Sequence, residues 1–286
     1  MCGITGWYSF NDNNINYDIL KKMNDSLYHR GPNYGEVKTY KSVGLGHRRL
    51  SIIDLSSNAN QPMTTNDKNY TIIYNGEIYN FVDIKNKLRA IGFRFSTNSD
   101  TEVVLKAFEA YGESCFKMFN GMFAIAIYDA KKDKLIISRD QYGIKPLYFY
   151  KDSDKLLFAS EIKAIKLFPN INLTLNNQSL SEFIWYGNSL GNRTIYKEIL
   201  QIEPGTYLSV SKKDFTSTKY FDINKTPQLK KTEKEATNEI KVLLEDAIKR
   251  HLVSDVQVGV LLSGGIDSSA ITAFASKHYK GKLNTY

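Results

Sequence analysis

Hydrophobic positions follow one period in the front of the chain and another at the back. To about residue 210, short β-prone runs alternate with polar turns and a few helical stretches. Ile19, Leu20, Met23 and Leu27 fall on one face and predict a helix near 18–28. A second helix is predicted near 83–91 with Gly92 as its C-terminal stop, and a third from Ser99 to Tyr111. Ser99 and Glu102 have the spacing of a capping box, in which hydroxyl and carboxylate each take a backbone N–H at the helix start. The stretch GMFAIAIYDAKKDKLIISRDQYGIKPLYFYKDSDKLLFASE holds four β-prone runs broken by polar turns at 129–133, 139–145 and 151–154. That spacing predicts an antiparallel meander, and sheet with segregated helices predicts an α+β domain.

The polar stretch SKKDFTSTKYFDINKTPQLKK reads as a linker, set at 216–231 between a first domain over 2–215 and a second over 232–286. Beyond it Ala236, Ile240, Leu243, Leu244, Ala247, Ile248 and Leu252 share one helical face, and Thr232 with Glu235 forms a capping box at its start. An apolar run VQVGVLL, a tight SGGIDSS and a helix AITAFASKHY follow, and KLNTY opens another strand. Strand, glycine turn, helix and strand is the opening of a βαβ unit, and so of a parallel sheet.

Composition narrows the class. The 286 residues are 42% hydrophobic and 13% aromatic, enough for packed cores and too apolar for a disordered chain. Cys2 and Cys115 form no disulfide framework, which suits a reducing, cytoplasmic setting. The start has no basic and apolar signal-peptide regions, and MFAIAIY at 122–128 is too short to span a bilayer, so no membrane partner is expected. A formal charge of +8 raises nucleic acid as a partner. However, the lysines stand in pairs beside acids, as at Lys21-Lys22 and Lys131-Lys132, with no arginine stripe among aromatics, so none is expected.

Several short runs carry candidate chemistry. Loss of the initiator is expected before a small side chain, and would leave Cys2 with both a thiol and a free α-amine. An α-amine has a pKa of roughly 7.7–8.0, so part of it is free base near neutrality and can accept the proton of its own thiol. Taken alone, Cys2 is also a small apolar residue at a strand start. GHRRLSIID at 46–54 sets Arg48 and Arg49 before a strand, where they read as surface charges. Asn75-Gly76 in YNGEIYN reads as a hairpin turn. Asp100 in NSDTE reads as a favourable acid in a helix first turn. In SGGIDSS the chain turns through Gly264 and Gly265 into a helix whose first turn carries Asp267, Ser268 and Ser269. Such a turn is either plain or an anion site built from free N–H groups and the helix dipole. No Gly-Lys-Ser/Thr follows, so it is not a Walker A loop.

VGVLLSGGIDSS resembles the pyrophosphate-binding loop of ATP pyrophosphatases. Cys2, GHRRLSIID, YNGEIYN and NSDTE together resemble the glutaminase domain of class II glutamine amidotransferases, a family of N-terminal-nucleophile hydrolases. With HRGP at 29–32, QPM at 61–63, RDQYGIKPLYF at 139–149, ASEIKAI at 159–165 and EPGTYL at 203–208, the whole order is similar to that of the glutamine-hydrolysing asparagine synthetases. The resemblance implies an α+β N-terminal-nucleophile domain of stacked antiparallel sheets flanked by helices, then the truncated start of an α/β, Rossmann-like parallel-sheet domain.

It also implies roles. Cys2 would attack the side-chain amide of glutamine, with the Asn75 side chain and the Gly76 N–H as oxyanion hole. Arg49 would hold the α-carboxylate and Asp100 the α-ammonium, with Glu77 and the backbone at Leu50, Ser51, Ile52 and Ile53 completing the pocket. This step would need no cofactor. In the second domain Leu261 would lie against adenine, and Ser263, Gly264, Gly265, Asp267, Ser268 and Ser269 would surround the ATP phosphates, with Asp267 on Mg²⁺. Aspartate, or another carboxylate acceptor, would be adenylated and amidated. Asn33 departs from the Asp that usually follows HRGP. The family's synthetase domain continues past the end of this chain, so the chain alone is expected to support only the glutaminase half, with a homodimer or a second chain as open partners. SGGIDSS argues against phosphoribosyl and hexosamine amidotransferases. A thiol protease would need a catalytic histidine motif, which His29, His47, His251 and His278 do not provide. A non-catalytic glutamine-binding chain would have no use for Cys2 and the oxyanion set.

Overall fold

In the front of the chain, apolar residues on alternate positions draw β-prone runs into two sheets. The computed structural model describes residues 1–11, 15–225, 227 and 230–286. It divides into a first unit, Met1–Ser51 with Ser56–Asp222, and a second, Ile52–Leu55 with Ile223–Tyr286. Thr226, Gln228 and Leu229 of the expected linker lie outside the described residues.

The first unit's strands are β1 (Gly3–Ser9), β2 (Tyr34–Thr39), β3 (Val43–Arg49), β4 (Met63–Thr64), β5 (Tyr70–Ile78), β6 (Gly121–Asp129), β7 (Lys134–Arg139), β8 (Tyr148–Lys151), β9 (Lys155–Ala159), β10 (Ile199–Gln201), β11 (Thr206–Val210) and β12 (Phe215–Lys219). They pair antiparallel in the orders β10-β8-β9-β1-β3-β2 and β12-β11-β7-β6-β5-β4. Helices α1 (Tyr17–Asp25), α2 (Phe81–Ala90), α3 (Asp100–Tyr111), α4 (Ile162–Lys166) and α5 (Asn177–Tyr186) accompany them.

Strand period two decides which layer each side chain enters. Along β1, Ile4 and Tyr8 join Phe158 of β9 and Ile73, Ala124 and Ile137 of the facing sheet in a core between the sheets. Trp7 points the other way, toward Leu20 and Met23 of α1 and Ile165 of α4. Along β5, Ile73 enters the inter-sheet core, whereas Ile72, Tyr74 and Ile78 pack against α2 and α3. The result is helix, sheet, sheet, helix, the stacked-sheet α+β fold that the sequence implied.

Four local expectations change. The four β-prone runs from Gly121 are not one meander: β6 and β7 belong to one sheet, β8 and β9 to the other. The chain crosses at RDQYGIK, where the buried Asp140 carboxylate accepts from the N–H groups of Phe123, Tyr142, Ile144 and Lys145 at 2.9–3.2 Å. Asn75-Gly76 is no hairpin turn but lies inside β5, opposite Ala124 and Phe123 of β6. Ser99 caps α3 by accepting from Thr101 N, yet the box does not close, because Glu102 bonds the N–H groups of Ser96 and Thr97 in the preceding loop. Lastly, the run that reads as a strand at 256–262 pairs only briefly in the second unit.

That unit holds α6 (Glu233–His251), β13 (Gly259–Val260), α7 (Ile266–His278) and β14 (Asn284–Thr285). β13 and β14 pair parallel, as a βαβ opening requires, and the ladder runs only as far as β14 supplies partners. Thr232 and Glu235 cap α6 reciprocally, as its spacing predicts. Leu244, Ile248, Val260 and Ala275 line an apolar cleft of about 520 Å³ within the unit. No helix among the described residues is long and apolar enough to cross a membrane.

Phe158 is completely buried between the two sheets. Phe158→Ala is therefore expected to lower the unfolding free energy by about 3–5 kcal/mol, read from urea melts. A loss under about 1 kcal/mol would show that the inter-sheet layer collapses around the gap.

Candidate active site

β5 pairs with β6 along its length, but with β4 only at Thr71 and Ile72, so beyond Ile72 one edge of β5 has no strand beside it among the described residues. Side chains take that edge instead. Gln61 Oε1 accepts from Tyr74 N at 2.6 Å, His47 Nε2 lies 3.1 Å from Tyr74 O, and Asp100 Oδ2 accepts from Ile78 N at 3.2 Å. In an antiparallel ladder successive residues turn their N–H to opposite edges. Gly76 N–H therefore faces the same open edge as Tyr74 and Ile78. Glycine is dictated here by space, since a Cβ would stand 2.2 Å from Met122 O. Asn75 points away from Tyr74, into the inter-sheet layer, and is 1% exposed. Its Nδ2 has no hydrogen-bond partner among the described residues. Burying a donor with nothing to donate to costs about 1–3 kcal/mol, so the geometry calls for an incoming acceptor.

Cys2 directly precedes β1, whose register sets Gly3 opposite Arg48 of β3. This brings Sγ to 3.4 Å from Leu50 N, which donates to it, and 3.6 Å from Leu50 O. Arg30 Nε donates to Cys2 O at 2.9 Å, and its Nη1 pairs with Glu161 at 3.1 Å. Burial pushes the Cys2 thiol above its ordinary range, and Asp100 pushes it the same way; the Leu50 N–H, the chain's N-terminal charge and Arg49 oppose this. The thiol therefore rests protonated and needs a base at the moment of attack. Met1 is 56% exposed. Burial, Arg30 and Lys145 lower the amine of Met1 from its usual range, against the charges of Cys2 and Glu77.

Arg49 closes β3 and is 5% exposed. Its Nη1 donates to Ser56 O at 2.8 Å and Asn60 Oδ1 at 2.7 Å. Asp100 opens α3 and also accepts from Tyr74 OH at 2.8 Å. Burial raises its carboxyl to about 6 in spite of these bonds, and Glu77 adds to the rise. Asn33 Oδ1 accepts from Ser51 N at 3.0 Å. An amide oxygen serves this bond as a carboxylate would, so the Asp that the resemblance implies at 33 is not needed for it.

The structure thus gathers Cys2, Arg49, Leu50, Ser51, Asn75, Gly76, Glu77 and Asp100 at one end of the paired sheets. Ile52 and Ile53 group with the second unit. Three further residues join the first set: His47, Gln61 and Lys145. All stand in runs noted from the sequence, but nothing local revealed that each touches β5 or the N-terminus. Burial drives His47 down to about 3, so it is neutral, and its bond to a carbonyl places the proton on Nε2.

In the second unit, Gly264 turns at φ +82° and α7 starts after Gly265 with no side-chain cap. Ser268 Oγ bonds Gly265 O at 3.2 Å and lies 3.1 Å from Ser263 Oγ. Leu261 is 79% exposed beside the loop. Uncapped first-turn N–H groups suit a phosphate. A metal fits less well: among the described residues no group of three or more His, Cys, Asp or Glu gathers, so Asp267 belongs to no such cluster. A magnesium ion there would have to draw its other oxygens from nucleotide phosphates and water.

A model of the glutamine amidotransferase domain family matches residues 1–221, and one of the asparagine synthase family matches residues 239–286. Glutamine-hydrolyzing asparagine synthetase 3 of Bacillus subtilis (strain 168) is 40% identical over 294 residues, covering 100% of this chain and 48% of its own length. Glutamine-hydrolyzing asparagine synthetase B of Escherichia coli (strain K12) is 33% identical over 282 residues, covering 97% of this chain and 45% of its own. The chain thus spans about half the length of these curated relatives. Among solved structures, a B. subtilis glutamine phosphoribosylpyrophosphate amidotransferase, complexed with ADP and GMP, matches with a TM-score of 0.56 at 18% identity. It covers 100% of this chain and 65% of that one, a likeness of fold alone.

Cys2 is half-buried, whereas Cys115 is buried with its thiol driven far up by desolvation. Iodoacetamide at about pH 8 is expected to modify Cys2 in the native chain and spare Cys115. Peptide mass mapping checks this, and equal labelling would contradict the burial of Cys115.

Proposed function

The chain belongs to the glutamine amidotransferase domain family, and we propose that its first unit hydrolyses glutamine to glutamate and ammonia at Cys2. One observation carries the reading: a buried, partnerless Asn75 Nδ2 beside the open N–H edge at Gly76. An oxyanion hole has that form, with donors fixed before the charge that they serve appears.

Removal of the exposed Met1 gives Cys2 a free α-amine. The amine takes the Sγ proton as sulfur attacks the side-chain carbonyl carbon of glutamine, and the carbonyl electrons move onto oxygen. Asn75 Nδ2 and Gly76 N–H donate to that oxyanion. Collapse breaks the C–N bond, the ammonium returns its proton to the departing nitrogen, and ammonia leaves a glutamyl thioester. Water then attacks, giving its proton to the amine; the C–S bond breaks, sulfur recovers the proton, and glutamate leaves. Arg49 offers a guanidinium for the α-carboxylate, and Asp100, once ionised, offers its charge to the α-ammonium.

The asparagine synthase match and the relatives' names support asparagine as the destination of the nitrogen. In this reading ATP binds with its phosphates at the Ser263–Ser269 loop, aspartate is adenylated, and ammonia displaces AMP. The glutaminase step needs neither ATP nor Mg²⁺. Two free cysteines suit the cytoplasm.

Processed chain supplied with glutamine, without ATP or aspartate, is expected to release glutamate and ammonia. Cys2→Ala should cut this at least about a thousandfold, and Asn75→Ala by about 10²–10³ in kcat, with a cooperative thermal melt showing that each variant is folded. Undiminished release from folded Cys2→Ala would sink the reading.

Asp100 sets a pH limit. Its folded pKa is raised to about 6, so its proton is retained in the folded chain over a window where the unfolded chain loses it. Stability therefore falls as pH rises toward about 6, and Asp100→Asn should stabilise the chain at neutral pH while weakening glutamine. In the non-turning Cys2→Ala chain, glutamine affinity should fall about tenfold per pH unit below that point. Calorimetry that finds flat affinity would remove Asp100 as the ammonium's partner.

A further inference from the structure

The turn after β7 fixes a lysine as well as a change of sheet. Asp140 accepts from Lys145 N at 2.9 Å, and Arg139 Nε donates to Lys145 O at 2.8 Å. Arg139 is itself held by Ile202 O at 2.7 Å and is 5% exposed. Both backbone groups of Lys145 are thus tied, and its side chain leaves from a rigid base. Lys145 is 5% exposed, and its Nζ lies 3.2 Å from Met1 Sδ, its one hydrogen-bond partner among the described residues. A thioether is a weak acceptor, and a buried ammonium so poorly partnered is unfavourable. Its partner is also the residue whose removal exposes the nucleophile.

Resting on the glutaminase reading, we propose that Lys145 is a positioning residue for the first proton transfer: loss of Met1 turns its ammonium to the new α-amine of Cys2, which it keeps as free base while steadying the thiolate.

The surrounding charges come from several elements. Arg30, after α1, bears on the N-terminus with the same sign as Lys145, and Glu77 of β5 bears on both the N-terminus and Lys145 with the opposite sign. Asp140 and the Cys2 thiolate also favour the Lys145 charge, and burial opposes it. Asp100 and Arg49 act on the thiol from its other side. In this set Lys145 is the cation that loses its hydrogen-bond partner when Met1 leaves. The Arg30 guanidinium stays bound to Cys2 O and Glu161.

The test is the pH profile of kcat at saturating glutamine, where Asp100 is paired with substrate and the acid limb reports the amine. Removing a nearby like charge raises the pKa of an amine. Lys145→Met is expected to move the acid limb up by about 1 pH unit, and Lys145→Arg, which keeps the charge, to leave it near the wild-type position. An acid limb unmoved in folded Lys145→Met overturns the proposal. Loss of turnover in processed wild type is a different failure, that of the glutaminase reading. In that case, or if Lys145→Met does not fold, wild type and Lys145→Gln labelled with ¹⁵N-cysteine decide by NMR titration. A Cys2 amine titrating about 1 pH unit lower in wild type than in Lys145→Gln supports the proposal, and equal values overturn it.

Discussion

Among the described residues, β5 beyond Ile72 has a neighbouring strand on one side only. An unpaired edge is a liability in any sheet, since its N–H and C=O groups must find water, a ligand or another strand. Here Gln61 and His47 hold Tyr74, and Asp100 holds Ile78. Gly76 lies between them, on the same edge. The edge is therefore sealed at two points and open at one, and the rest of the site is arranged around that opening. Gln61 also donates to Thr101 Oγ1 at 3.2 Å, so one side chain ties β5 to the start of α3. The helix that delivers Asp100 and the strand that carries Asn75 cannot drift apart without breaking it.

Burial sets the electrostatics around that opening. The Cys2 thiol and the Asp100 carboxyl are raised, and the N-terminal amine and Lys145 are lowered, with desolvation the first cause in each case. Every shift favours the neutral form. A site so built favours a thiol over a stored thiolate. That arrangement suits the proposed chemistry, in which the base belongs to the same residue as the nucleophile. A distant base would have to carry its proton through a layer that disfavours ions.

Sequence periodicity marks a helix well where it buries one stripe against a neighbour, as α1 does with Leu20 and Met23 and α2 with Ile84 and Leu88. Its errors share a cause. Asn75-Gly76 has the composition of a turn, but pairing with β6 over nine positions outweighs that local preference. The spacing of β6 to β9 is that of a meander, but the bonds of Asp140 and Arg139 redirect the chain to the other sheet. The box at Thr232 closes because Glu235 accepts from Thr232 N, whereas Glu102 takes the N–H groups of Ser96 and Thr97 instead. Cys2, Arg49 and Asp100 were legible as an ordered set of motifs. Gln61, His47 and Lys145 were not given roles, since each acts through a contact with a residue 13 to 144 positions away.

The two units differ in how far they satisfy themselves. In the first, three apolar clusters close all the layers. In the second, Ile248 is the buried residue of α6, while Ile240, Leu243, Leu261 and Ile266 are each at least 60% exposed. A parallel pair needs cover on both faces, which this short ladder lacks among the described residues. The hydrogen bonds described around Cys2, Asn33, Tyr74 and Asp100 join, by contrast, residues of Met1–Ser51 and Ser56–Asp222. The glutaminase chemistry proposed for this chain therefore draws its geometry from a unit whose cores are already closed.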